Sequence, residues 1–147
     1  MGLPRLVCTR LVALTILLAG LPVGPARAAD PVKVVYHLNE GIPQAANAMR
    51  NIRNHLTADP TARIVVVAHA AGIDFLLKDA RDAAGAAFSN HIEELSVRGV
   101  EFRLCRFTLE ARKIDAARVV PEATIVPSGV AEVSRLQARE GFAYLKP

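Results

Sequence analysis

From Ile64 to Ala68 the chain carries no polar side chain, and three of these five residues are valines. A run this short and this apolar suits a strand covered on both faces, as in parallel sheets. Parallel neighbours need crossover segments, so helices are expected between the strands. The flanking sequence supplies them. Val32 to Leu38 is rich in β-branched and aromatic residues and reads as a strand. Asn39-Glu40-Gly41 turns the chain, and Pro43 fits the first turn of a helix, where its missing N–H costs nothing. Ala45, Ala48, Met49, Ile52 and Leu56 then recur at helical spacing, and Asp59-Pro60 closes the segment.

The alternation continues beyond the apolar run. Gly72 loosens the turn after it, and a short helix is expected around Phe75 to Lys78. Ala84, Phe88, Ile92 and Leu95 mark a further helix, with Arg98 in its last turn and Gly99 as its stop. Val100 to Cys105 is the third strand. Val100, Phe102 and Leu104 share one side, and Glu101, Arg103 and Cys105 the other, which predicts lighter cover than the second strand has. Thr108 to Lys113 suits a helical turn and Thr124 to Val126 a short fourth strand. Ser128 is placed to cap a helix with Val130, Val133 and Leu136 as its apolar stripe. Phe142 to Leu145 is the last strand. The expected fold is α/β, a three-layer sandwich on a mostly parallel sheet of about five strands. Ligands gather at the carboxyl ends of such strands. The segments leaving four of those ends begin with Asn39, His69, Cys105 and Ser128.

The N-terminus has the parts of a secretory signal. Arg5 and Arg10 supply positive charge, Leu11 to Leu21 is apolar apart from Thr15 and Gly20, and Ala26-Arg27-Ala28 offers a cleavage pattern. The apolar run falls well short of the roughly 20 residues a spanning helix needs. We therefore expect residues 1–29 to be a cleaved leader and 30–147 a single exported, soluble domain; an uncleaved anchor is the alternative. The chain has 18 Lys plus Arg against 14 Asp plus Glu. Removing Arg5, Arg10 and Arg27 leaves 15 against 14, so the basicity belongs largely to the leader. No Lys/Arg cluster of the kind that grips phosphates remains, which argues against nucleic acid as a partner.

Cleavage also removes Cys8 and leaves Cys105 as the only thiol, unable to make an internal disulfide. Two readings of Cys105 stand: an inert core residue, or a thiol kept free for sulfur chemistry. Arg106 is adjacent and Arg103 shares its strand face, so either could supply charge to a thiolate. Thr108 could begin the helix that follows. His69, at the neighbouring strand exit, could shuttle a proton. Asn39 and Glu40 read as turn residues that could line the same pocket. The free N–H groups at Ser128-Gly129 could hold an anion. A cysteine-histidine protease would need an orienting third group that the sequence does not supply. His37, His55 and His91 have no metal-ligand spacing with Cys105, and neither a metal nor another cofactor is expected.

Four stretches, in order, resemble the DsrE/DsrF-like family of small sulfur-relay proteins, in particular its exported branch. They are Val65 to Leu77 (VVVAHAAGIDFLL), Gly99 to Cys105 (GVEFRLC), Val126 to Glu132 (VPSGVAE) and Gly141 to Pro147 (GFAYLKP). Cys105 matches the cysteine after that branch's third strand, His69 and Gly72 its recurring His and Gly, and Ser128 and Gly129 its Pro-Ser-Gly-Val turn. The resemblance implies a parallel-sheet fold, trimers or hexamers, and sulfane sulfur held as a persulfide on Cys105 and passed between donor and acceptor proteins. Together with the leader, it implies periplasmic sulfur handling by a sulfurtransferase-like enzyme or a plain carrier. Where many relatives have Asn-Thr-Leu after the cysteine, this chain has Arg106-Phe107-Thr108-Leu109, which puts a ring near the thiol.

Two other readings fit the same residues. One is an oligomeric binding or scaffold module whose cysteine is incidental. The other is an anion-binding protein without covalent chemistry. About 118 residues without a disulfide form a modest core, which favours oligomerisation. Val97, Val119 and Val120 suit either an interface or the core.

Overall fold

The structure is a computed structural model and describes Gly2 and residues 30–147. The expected leader, with Cys8, falls outside the described residues apart from Gly2. Strands β1 (Lys33–Leu38), β2 (Arg63–Ala68), β3 (Glu101–Cys105), β4 (Ala123–Val126) and β5 (Ala143–Leu145) form one sheet in the order β4-β3-β2-β1-β5. All four neighbouring pairs are parallel. Helices α1 (Ile42–Ala58), α2 (Phe88–Val97), α3 (Arg106–Ala111) and α4 (Gly129–Glu140) connect or cover them.

The strand order dictates where the helices go. β1 to β4 advance one place at a time in one direction, and right-handed crossovers keep those connections on one face. The last connection must return from β4 to the far side of β1, so α4 crosses the opposite face. The core divides accordingly. On the first face Val34, Tyr36, Leu38, Ile64, Val66, Phe102 and Leu104 pack with α1, α2 and Leu109 of α3. On the second, Val35, Val65 and Val67 meet Val133, Leu136 and Phe142. This explains the unbroken apolar run in β2, which is buried on both sides.

Polar side chains frame the second face. Arg63, Glu101, Arg103, Glu132, Arg135 and Glu140 form a closed ring of alternating charge. Arg103 bonds Glu132 of α4 on one side and Glu101 at 2.5 Å on the other. As the alternation predicts, β3 is more lightly covered than β2: Glu101 is exposed and Arg103 half-buried, held to α4 by the Glu132 ion pair. Gly141 ends α4 in the left-handed conformation, at φ 73°.

Several local expectations need correction. The segment after β2 is a 3-10 helix over Ala70–Leu76, earlier than the expected helix at Phe75 to Lys78. Gly72 permits it, because a Cβ there would lie 2.2 Å from the Leu38 carbonyl oxygen. Ala84 sits in a turn before α2, whose amide groups are held by the Asp82 carboxylate. Val130 belongs to α4 but is 56% exposed, while Val133 and Leu136 are buried. Val119 and Val120 are core residues, whereas Val97 is 85% exposed.

Candidate functional site

Register brings the chemistry together. Ala68 pairs with Leu104 across β2 and β3, so the next residues, His69 and Cys105, leave the sheet side by side. β4 ends level with Cys105, which pairs with Val126, and its chain then turns through Pro127 and Ser128 into α4. Here the connections part: β3 leads to α3 on the first face, and β4 leads to α4 on the second. Such a divergence opens backbone N–H groups toward the carboxyl edge of the sheet.

Cys105 occupies the N-cap position of α3, with φ −70° and ψ 118°. Helix α3 begins at Arg106, earlier than the expected Thr108, which brings its first turn beside the sulfur, the Phe107 N–H itself donating to the Pro127 carbonyl at 3.4 Å. Burial alone would raise the Cys105 pKa. The backbone N–H of Gly129, the Thr108 hydroxyl and the backbone N–H groups of Thr108 and Phe107 outweigh burial and lower it. These groups donate to a thiolate and so favour the charged form. The Thr108 oxygen also accepts the N–H of Ala70 at 3.0 Å, which leaves its single proton for the sulfur. Ala70 is held at φ 50°, an unusual conformation for a residue with a Cβ. Arg112 donates to its carbonyl at 3.2 Å and reaches Asp74 at 2.6 Å, tying α3 to the 3-10 helix.

Gly129 makes the close approach possible. A Cβ there would stand 3.0 Å from the His69 Cβ and 3.2 Å from the Cys105 Cβ. Ser128 accepts the Ala131 N–H at 3.4 Å as the cap of α4. Cys105, His69, Ser128 and Gly129 thus converge. Gly72 acts at a distance, by letting the 3-10 helix press on the end of β1.

The other candidates are placed differently. Arg103 lies on the thiol's face but is engaged by Glu101 and Glu132. Arg106 is exposed and lines a cavity of about 410 Å³ with Leu109, Glu110, Lys113 and Ile125. No arginine figures among the causes of the thiol's lowered pKa. Asn39 donates its N–H to Gln44 at 2.9 Å, and its Oδ1 is buried without a partner. Glu40 is exposed and pairs with Lys146 at 2.5 Å. Among the described residues, no three His, Cys, Asp or Glu side chains could together hold a metal ion. No helix among them is long and apolar enough to cross a membrane.

Two residues join the site that sequence reasoning passed over. His37, on the second face of β1, places its Nε2 2.7 Å from the His69 Nε2, with the rings stacked at 25°. Its Nδ1 is 2.7 Å from the Tyr144 hydroxyl of β5. Burial lowers the pKa of both histidines, and His37 is lowered further by the charges of His69 and Lys146. The sequence signal was present in strand alternation, which puts His37 on the face of Val35. Using it required knowing that β1 lies between β2 and β5.

The fold has counterparts among known proteins. A solved protein of unknown function, MTH1491 from Methanobacterium thermoautotrophicum, is 32% identical, with a TM-score of 0.70 over 79% of this chain and 99% of that one. The ychN protein from E. coli is 13% identical and similar in fold, with a TM-score of 0.63 over 80% of this chain and 99% of its own. No curated protein matches. The family model described as DsrE/DsrF-like matches residues 33–147, nearly all of the described domain, and the chain belongs to the DsrE/DsrF-like family.

Proposed function

We propose that this protein carries sulfane sulfur as a persulfide on Cys105, in the periplasm, and passes it from a donor to an acceptor thiol. One observation carries the reading: Cys105 is ringed by hydrogen-bond donors that lower its pKa, where a structural cysteine would meet aliphatic groups. In loading, the Cys105 thiolate attacks the terminal sulfur of a polysulfide. A new S–S bond forms on Cys105, the donor's S–S bond breaks, and the shortened polysulfide leaves with the electron pair. The donors that stabilise the thiolate also suit the anionic persulfide. The proposed location rests on the leader-like N-terminus.

Partners have a surface to meet. Phe107, 60% exposed, and Val130, 56% exposed, adjoin Thr108 and Gly129, two of the residues that lower the thiol's pKa. Exposed apolar side chains beside a reactive group suit a transient partner or a neighbouring subunit. A trimer or hexamer, the family's habit, is proposed on the same grounds.

A second reading also has an observation in its favour. Cys105 is only 5% exposed, as an incidental cysteine in an oligomeric scaffold would be. Transfer separates the two. Protein treated with polysulfide and freed of excess reagent should deliver one sulfur per chain to a small thiol, and Cys105→Ser should deliver none. Equal delivery by both would leave the scaffold reading.

A further inference from the structure

We infer that His37, backed by Tyr144, is the orienting partner of His69: the three form a hydrogen-bonded chain that aims a single basic nitrogen of His69 at the thiol edge. The inference rests on the carrier reading for its chemistry and on geometry for its form. Two imidazole nitrogens 2.7 Å apart are hydrogen-bonded only if one carries the proton and the other does not. Tyr144, 2.7 Å from the far nitrogen of His37, completes the set. We assign the chain the direction in which the Tyr144 oxygen accepts the His37 Nδ1–H, which makes the His37 Nε2 a bare acceptor. His69 must then donate its Nε2–H to His37, and its Nδ1 holds a lone pair. That nitrogen has no protein partner among the described residues. The backbone supports the placement, because the Cβ atoms of His69 and Cys105 flank the same point above Gly129.

This arrangement supplies what a Cys–His pair otherwise lacks, a third group that fixes the imidazole. It also limits the charge. Once His69 is protonated, its Nε2–H remains bonded to neutral His37, and a second proton on His37 would break that bond and set two cations together. The groups around the pair act in the same sense. Lys146, just beyond β5, opposes a charge on His37, although Glu40 holds it at 2.5 Å. Arg103 and Glu132, between β3 and α4, largely neutralise one another. Cys105 on β3, as thiolate or persulfide, favours a cationic His69.

The chemistry lies in the hand-off. The acceptor thiol's S–H bond breaks, and its proton goes to the His69 Nδ1. The resulting thiolate bonds to the outer sulfur of the Cys105 persulfide. The S–S bond at Cys105 breaks, and its electron pair remains on Sγ as thiolate. The acceptor leaves as a persulfide, with charge balanced by the His69 imidazolium. His37 and Tyr144 touch neither sulfur and act through His69 as positioning residues.

The test compares His37→Phe, His37→Gln and Tyr144→Phe, with His69 followed by NMR titration of its ring protons and hand-off to a small thiol followed across pH. His37→Phe removes the acceptor and should make His69 harder to protonate and hand-off about tenfold slower, the loss of one charge-assisted hydrogen bond. His37→Gln keeps an acceptor oxygen and should restore most of both. Tyr144→Phe should give a smaller change of the same sign. Sulfur loading on Cys105 should be equal in all. A His69 titration unmoved by His37→Phe overturns the inference while carriage stands. Wild-type protein that never loads sulfur overturns the carrier reading, and the titration still decides whether His37 orients His69.

Discussion

His37 and His69 face each other through their Nε2 atoms at 2.7 Å, so a charge on one opposes a charge on the other. Burial lowers both pKa values below the ordinary imidazole range. The unfolded chain therefore binds more protons than the folded one near pH 6. The stabilising contribution is present above the unfolded pKa of about 6.5 and is lost as pH falls through the folded values. Urea midpoints should fall between pH 7 and 5, and fall less in His69→Phe. An equal slope in both proteins contradicts this account of the pair.

Thr108 couples the β2 exit to the thiol, accepting from Ala70 at 3.0 Å and donating to the sulfur. Removing a hydrogen bond to a charged group costs on the order of 1.5 kcal/mol, about one pH unit. Thr108→Val should raise the midpoint of Cys105 alkylation by about that much. Wild-type protein should alkylate with a midpoint below that of an ordinary cysteine, measured with a small reagent because the residue is 5% exposed.

Gly129 and Gly72 separate chemistry from folding. Gly129→Ala brings a Cβ against the Cβ atoms of His69 and Cys105, at 3.0 and 3.2 Å. It should cost about 1–2 kcal/mol and push the α4 amide off the sulfur, raising the thiol pKa. In Gly72→Ala the new atom meets backbone at 2.2 Å, which has little room to yield. A loss of at least about 3 kcal/mol is expected by chemical denaturation.

Glu132 joins Arg103 and Arg135 and is 12% exposed. Its pKa is lowered by the Arg135 hydrogen bond and by Arg103, against burial. The stability it lends is present above the unfolded carboxylate pKa, about 4.3, and is lost as pH falls through the folded value. Glu132→Gln should cost about 1–2 kcal/mol at neutral pH, since it leaves Arg103 to Glu101 alone and Arg135 to Glu140 alone. The difference from wild type should shrink in acid, as measured by urea unfolding at pH 7 and 3.

Most of the architecture was legible because its signals are local. The apolar run in β2, the helical spacing from Ala45 to Leu56 and the Ser128 cap each report on their own segment. Val130 misled because its spacing fits the apolar stripe although its side chain projects away from the sheet. The start of α3 was misjudged because Cys105 stands at the N-cap without a side-chain cap bond, while Thr108 offered the usual hydroxyl signal. Arg103 was read as available because its partner Glu132 lies 29 residues on, beyond any local pattern. His37 and Tyr144 stayed hidden for the same reason: β5 is last in the chain yet neighbours β1, so their contact spans 107 residues.

The central claim is that Cys105 holds a transferable sulfur, and intact mass spectrometry tests it most directly. Protein spanning residues 30–147, exposed to polysulfide and then desalted, should gain the mass of one sulfur atom and lose it to a reducing thiol, while Cys105→Ser gains nothing. A wild-type chain that alkylates at Cys105 yet never gains that mass would contradict the account.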